Sequence, residues 1–357
     1  MNTQEQTKST ASDLEFELVD FPRQIDEITP PVNEMWNVIR KERFPDDPPI
    51  PLEEEIAGFR NVPEFVEFKL WIAWEPGRQK SAASLEFETY QTEDNQHLSE
   101  FEINVAPEYR RQGLGRKFLR MAAEESRNRS KRLMITVTNS NVPAGEAFMA
   151  HFGGQRGLET CTNQLVLKEL DRQLMADWIT LASSQKDRFE LGLWDGRYPD
   201  EDIQAVADLF LIANDAPHDD LDVEDQTFTP ERLRQMENYG IARGTQRWSM
   251  YLREKATGRF AGFTEVFYNP NRPTILQQAF TGVHPDFRGL NLGRWLKAEM
   301  MHKVLRERAQ VRVVRTGNAN SNAAMLRINN EMGFKPYMSV TVWQLETDKV
   351  FTYFSKP

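Results

Sequence analysis

Short alternating runs and helical stripes follow one another along the whole chain. Val66–Trp74, Ser84–Tyr90 and Phe101–Val105 place apolar residues at every second position and predict three strands. Ahead of them, Met35–Ile39 and Leu52–Phe59 predict amphipathic helices on either side of the turn-rich Phe44-Pro45-Asp46-Asp47-Pro48-Pro49. Behind the third strand, Leu114, Phe118, Met121 and Ala122 share one helical face. Arg127, Arg129, Lys131 and Arg132 end that helix, where cations complement its dipole. A strand at Leu133–Thr138, an Asn-rich turn, a short helix to Phe152 and Gly153-Gly154 complete the series. Residues 1–13 read as a frayed polar tail.

The same order then recurs. Val283-His284-Pro285-Asp286-Phe287-Arg288 repeats Val105-Ala106-Pro107-Glu108-Tyr109-Arg110 at a spacing of 178 residues, and Gly293 follows Gly115 by the same interval. Leu292, Leu296, Met300 and Val304 repeat the long helix, and Val311–Thr316 repeats the strand behind it. Asn214-Asp215-Ala216-Pro217 loosely echoes Asp46-Asp47-Pro48-Pro49. One fold used twice predicts a first domain over residues 15–168, a helical linker over 169–189 containing Asp171, Arg172 and Trp178, and a second domain over 190–350.

Length and composition agree with two cores: 357 residues, 39% of them hydrophobic, with 22 Phe, 8 Trp and 8 Tyr. The net charge of −10 disfavours nucleic acid and anionic membrane surfaces as partners and favours a cationic one. Cys161 is the single cysteine, so neither an internal disulfide nor a thiolate metal site is available. Met1–Ser12 has no apolar core of the kind a secretory signal needs, and no apolar run is long enough for a membrane span. A cytoplasmic protein is expected. No His/Asp/Glu group has metal-ligand spacing, and His218 and His284 read as solvated loop residues.

The repeated loop carries the chemistry. A strand, then Arg-x-x-Gly-x-Gly, then a helix brings unpaired backbone N–H groups and a favourable dipole to one point. Glycines there permit close backbone approach and positive φ. Arg110, Arg111, Arg116 and Lys117 add counter-charge, so a pyrophosphate is a natural ligand; the alternative is a plain strand-to-helix turn, which two occurrences at one place in a repeat disfavour. Several strands precede the loop, which is unlike a Rossmann fingerprint, and no Gly-Lys-Ser/Thr follows as in a Walker loop.

The loop resembles the acyl-CoA signature of the GNAT N-acetyltransferase superfamily, and so do Val-x-Pro-x-Tyr/Phe-Arg ahead of it and Asn322, Met325, Leu326, Gly333 and Phe334 behind it. The tandem arrangement is similar to that of mycothiol-synthase-like two-domain acetyltransferases. The resemblance implies an α/β chain of the α+β type with two GNAT-like domains in tandem. Each would be a mixed, mostly antiparallel sheet flanked by helices, with its fourth and fifth strands splayed to admit a pantetheine arm. It implies acetyl-CoA as co-substrate, held in the first half by Val105, Arg110, Arg111, Gln112, Gly113, Leu114, Gly115 and Arg116. In the second half the matching residues are Val283, Arg288, Gly289, Leu290, Asn291, Leu292, Gly293 and Arg294, with Asn318 and Asn322.

The halves depart from the family differently. The first keeps both glycines but has Gly154 where Phe is usual, and Pro143 near its short helix. The second has Asn291 for the middle glycine, the non-glycine residue best suited to a left-handed conformation. The tyrosine that serves many family members as acid falls at Met149 and Asn329, so it is absent from both halves. The expected function is direct N-acetylation of a small, cationic amine, without a covalent intermediate, by the second half; the alternative is a non-catalytic CoA-binding or scaffold protein. Glu265, mid-strand among apolar neighbours, is a candidate general base, and Glu86 at nearly the same place in the first half makes a shared structural hydrogen bond an equal reading. Tyr337 is a candidate acid, as is a water. A backbone N–H near Val283 would polarise the thioester. The acidic run Asp215–Asp225 is either a solvated loop or one wall of an amine cleft.

Overall fold

A computed structural model describes residues 11–355. Of the expected polar tail, residues 1–10 lie outside the described residues. The chain forms two compact units, one from Met1–Arg156 with Val342–Pro357 and one from Gly157–Thr341. This division differs from the expected one at both ends: the strand after Arg156 belongs to the second unit, and the end of the chain belongs to the first.

The first unit runs β1 (Glu15–Leu18), α1 (Ile25–Arg43), α2 (Leu52–Arg60), β2 (Val66–Trp74), β3 (Ser81–Tyr90), β4 (Leu98–Val105), α3 (Leu114–Asn128), β5 (Leu133–Asn139) and α4 (Pro143–His151). The second runs β6 (Gln155–Val166), α5 (Arg172–Leu181), β7 (Phe189–Asp195), α6 (Ile203–Phe210), α7 (Pro230–Ala242), β8 (Gln246–Glu254), β9 (Phe260–Tyr268), β10 (Ile275–Val283), α8 (Leu292–Glu307), β11 (Val313–Ala319) and α9 (Ala323–Met332). β12 (Lys335–Glu346) and α10 (Thr347–Phe354) close the chain. Strands of the first sheet stand in the order β1-β2-β3-β4-β5, followed by the end of β12; the second sheet reads β6-β11-β10-β9-β8-β7.

β1–β2, β2–β3, β3–β4, β6–β11, β7–β8, β8–β9 and β9–β10 pair antiparallel, whereas β4–β5 and β10–β11 pair parallel. These two parallel contacts are brief. They run from Leu98↔Leu133 to Glu100↔Ile135 in the first sheet and from Ile275↔Val313 to Gln277↔Arg315 in the second. Beyond those pairs the strands part, leaving Phe101–Val105 and Phe280–Val283 without a partner on that side. The expected splay of the fourth and fifth strands is therefore present in each unit.

Helical stripes bury what the pattern predicts. Leu114, Phe118, Leu119, Ala122 and Ala123 of α3 face the first core, and Leu292, Trp295, Leu296, Met300 and Val304 of α8 face the second. The late strand explains the shifted boundary: Trp343, Leu345 and Val350 lie in the core with Phe118 and Met134. Trp343 also donates from Nε1 to Thr138 Oγ1 at 2.7 Å, a buried bond. In the same way Leu165 and Leu167, counted with the first half by the sequence, join the core around Leu296 and Val314. Among the described residues, no helix is long and apolar enough to cross a membrane.

A sheet that depends on residues some two hundred positions downstream cannot close without them. Trp343→Ala removes a nearly fully buried indole and its hydrogen bond, and is expected to cost about 3–5 kcal/mol. Urea unfolding followed by circular dichroism checks this; a loss below about 1 kcal/mol would show that the strand is not integral to the first core.

Candidate functional site

Each half carries its loop in the same backbone form. Arg111 and Gly113 have φ of 64° and 87°, and Gly289 and Asn291, at the repeat-equivalent positions, have 80° and 60°. Two left-handed residues separated by one turn the chain sharply enough to start α3 or α8 directly after the strand. Gly113 and Asn291 are the N-caps, and neither helix start receives a side-chain cap. The first-turn N–H groups are therefore directed at whatever occupies the loop. Asn291 adopts the left-handed form expected of it.

The loop arginines do something other than contribute free charge. Arg110 donates from Nε to Val105 O and Arg288 from Nε to Val283 O, both at 3.1 Å. Arg110 then forks onto Glu42 of α1, and Arg288 pairs with Asp215. Each guanidinium ties the strand end to the helix across the mouth of the loop. Of the other first-unit cations, Lys117 lies over the Phe16 ring at 3.0 Å and Arg116 over Phe354 at 5.1 Å, while Arg111 is exposed on the left-handed turn. Gln112 donates to Glu108 O, and Leu114 is buried. In the second unit Arg294 pairs with Glu331. In the second loop Arg288 and Arg294 are thus both paired with carboxylates, which leaves the backbone N–H groups as the unpaired donors there.

In the second unit a cavity of about 450 Å³ is lined by Val283, Arg288, Gly289, Asn291, Leu292, Gly293, Arg294 and Asn322. Its remaining walls are Ile212, Asp215, Ala216, Phe280, Thr281, Gly282, Phe287, Ala324, Met325 and Ile328. Leu290 and Asn318, named from the resemblance, do not line it; Leu290 packs on the core, and Asn318 accepts from Asn329 Nδ2 at 2.7 Å. Asn322 caps α9, accepting from Met325 N. A Cβ added at Gly293 would stand 3.9 Å from Ile328 Cδ1, an ordinary contact. At the matching Gly115 it would meet the Phe148 ring at 3.0 Å, because Phe148 of α4 stands where Ile328 stands in the second unit. Phe152, Tyr353 and Phe354 pack beside it.

Neither proposed catalytic side chain lines the cavity. Glu265 is buried on β9, accepting from Tyr198 Oη and Ser249 Oγ with Arg247 Nε at 3.8 Å. Strand alternation puts Glu265 with Phe263, on the face covered by α6 and opposite α8. Contacts from it to the cavity run through Tyr198, Phe210 and Phe280, whose rings follow one another at 6.3 and 6.4 Å. Burial holds its carboxyl above the ordinary range, against the pull of Arg247 and the two hydroxyls. Glu86 is its counterpart in the first unit, held by Asn104 and raised well above the ordinary value by burial and by Glu102. Each carboxyl is satisfied by neighbouring side chains, although by different partners in the two units, and Glu265 does not reach the cavity. Tyr337 lies on β12 under the Arg315 guanidinium, 4.5 Å from its ring, again away from the cavity.

One group was missed. Lys297 of α8 is 1% exposed and donates to Asn329 Oδ1 at 2.8 Å. The repeat contained the signal, since position 297 matches the core residue Leu119.

Residues 32–153 match the model of the acetyltransferase (GNAT) family. The fold of the chain is similar to that of a tandem GNAT protein from the clavulanic acid biosynthesis pathway, with TM-score 0.75 and 23% identity over 93% of this chain and 99% of that one. It is also similar to a GCN5-related N-acetyltransferase from Sphaerobacter thermophilus, with TM-score 0.62 and 14% identity over 93% and 96% of the two chains. No curated protein matches the chain. The protein therefore contains a GNAT acetyltransferase domain and has the tandem GNAT fold over nearly its whole length. The family match falls on the half that keeps both glycines, whereas the described cavity is in the other.

Asn291→Gly should leave the second loop intact, while Asn291→Val, which resists φ of 60°, should cost about 1–2 kcal/mol. Thermal unfolding of both variants checks the order. Glu265→Gln retains an acceptor and is expected to keep turnover within about threefold, whereas Glu265→Leu strands two buried hydroxyls at about 1–3 kcal/mol each. A hundredfold loss of turnover in a folded Glu265→Gln variant would restore it as base.

Proposed function

We propose that the second unit transfers an acetyl group from acetyl-CoA to the nitrogen of a small amine, and that the first unit is mainly structural. The observation that supports this is the contrast between two copies of one loop. In the second unit the uncapped start of α8, the left-handed Asn291 and the splay between β10 and β11 all border a cavity of about 450 Å³. In the first, Phe148 lies against Gly115.

Backbone N–H groups at the start of α8 suit a pyrophosphate, because the helix dipole and the unpaired donors favour an anion there. The parted strands offer unpaired backbone beside Val283, where a thioester oxygen can accept. Asp215, paired with Arg288, and Ala216 also line the cavity and open the acidic run. An amine is protonated near neutral pH, so the chain's net charge of −10 favours its approach, and the amine must lose a proton before attack. Transfer is direct: Cys161 lies on β6, outside the cavity lining, and no other thiol exists to carry an acyl group.

Thiol release from acetyl-CoA with a panel of primary amines tests the activity, and calorimetry tests the binding. Ile328→Phe copies the first unit's Phe148 into the cavity and is expected to weaken acetyl-CoA binding at least tenfold, about 1.4 kcal/mol, in a folded protein. Unchanged affinity in that variant would move the binding site elsewhere. The absence of thiol release with every amine, despite tight binding, would favour the non-catalytic alternative.

A further inference from the structure

The duplication supplies a control for core positions of the second unit. Leu119 of α3 and Met149 of α4 are both fully buried. Lys297 follows Leu119 by the interval that separates Gly115 from Gly293, and Asn329 precedes Gly333 as Met149 precedes Gly153. Both replacements are buried to 1%. An apolar pair has thus become a polar one without any gain in exposure. Packing does not account for the change, because an ammonium taken out of water is costly without a compensating charge.

No such charge is present. Lys297 Nζ donates to the neutral Asn329 Oδ1 at 2.8 Å, and the Phe334 ring lies 5.8 Å away. Asn329 is held in turn by its bond to Asn318 at the end of β11. From the strands packed on α8, Met250, Leu252, Val266 and Leu276 share the facing side with Tyr268, whose hydroxyl accepts from Gln310, with Thr264 and Gln278, which bond to each other, and with Glu254, which is paired with Arg188. Across α5 stand Met175 and Trp178. Glu331 of α9 is paired with Arg294. Glu265 and Arg247 occupy the other face of the sheet. Burial alone pulls the Lys297 ammonium down to about 7.

The position of the pair relative to the cavity is fixed by helical periodicity. Lys297 is one turn beyond Gly293 on α8, and Asn329 is one turn beyond Met325 on α9; Gly293 and Met325 both line the cavity. Lys297 and Asn329 do not line the cavity themselves; each stands one turn beyond a residue that does, and Asn329 directly follows the lining residue Ile328.

We propose that Lys297 is the acid that protonates the departing thiolate, with Asn329 and Asn318 as positioning residues that hold its Nζ. The inference rests on the acyl-transfer reading. The neutral amine attacks the thioester carbonyl, the C–N bond forms, and the C–S bond breaks with its electron pair on sulfur. A proton passes from Nζ to sulfur, and the resulting neutral lysine is recharged by the proton that the new amide nitrogen loses. The sum is acetyl-CoA and a protonated amine going to amide, CoA thiol and one proton.

Lys297→Leu installs the first unit's residue and is expected to fold; Lys297→Met, closer in shape, is the second variant. Unfolding curves establish which are folded. With acetyl-CoA and the best amine of the panel, kcat is expected to fall by about 10²–10⁴, while the acetyl-CoA KM changes by less than about threefold. Wild-type kcat should decline above about pH 7 as Lys297 loses its proton, and the variants should lack that limb. A readout independent of the amine is the ultraviolet thiolate absorbance of CoA bound to the protein across pH. The wild-type complex should ionise its thiol at lower pH than either variant. Folded variants with wild-type kcat and the same alkaline limb, or bound CoA ionising identically in all three proteins, would overturn the proposal. A wild-type protein that binds CoA yet acetylates no amine would overturn the acyl-transfer reading instead, leaving the thiol titration to decide whether Lys297 meets the sulfur.

Discussion

In each sheet the two central parallel strands pair over only three residue positions and then diverge. Everything that makes a site possible depends on that divergence. Continuous pairing would commit the backbone of Phe280–Val283 to the ladder and leave no opening beside the start of α8. Left unpaired at that end, β10 presents backbone groups to the cavity that Gly293, Met325 and Ile328 border. The price in lost ladder bonds is limited to a few residues per sheet, because β10 keeps β9 as its antiparallel neighbour and β4 keeps β3.

The loops show how one backbone path tolerates different residues. Two left-handed positions are needed, and each half supplies one glycine and one non-glycine: Arg111 with Gly113, and Gly289 with Asn291. The arginine before them holds the loop in the same way in both halves, through the carbonyl five residues back and an acidic side chain from the preceding helical segment. What differs is what stands opposite the last glycine. A benzene ring at Phe148 stands 3.0 Å from where a Gly115 Cβ would be, and a smaller branched chain at Ile328 stands 3.9 Å from the matching point at Gly293.

Duplication also separates structural polar groups from ones that packing does not explain. Glu86 and Glu265 are both buried mid-strand carboxyls satisfied by neighbouring side chains, which points to a role common to both units. Lys297 and Asn329 have no polar counterpart in the first unit, where Leu119 and Met149 fill the same places. A burial cost borne by one copy alone is the asymmetry that sets the second unit apart.

Much of this was present in the sequence. Period-two runs and helical stripes are local consequences of which face is buried, so the strands, the long helices and the repeat could be read from spacing alone, as could the left-handed Asn291. Three things required the folded chain. Trp343 and Leu345 complete the sheet of the first unit, and Leu165 belongs to the core of the second, because strand partners are chosen by edge complementarity and not by order along the chain. Arg110 and Arg288 turned out to be clamps, since a guanidinium near a loop finds whichever acid the tertiary structure brings within reach. Glu265 and Tyr337 were placed by strand position, but the face a side chain occupies depends on register, and both lie away from the cavity. Lys297 was legible only as a departure from Leu119; that it is buried against Asn329 and carries no balancing charge was decided by the packing of α8 on α9.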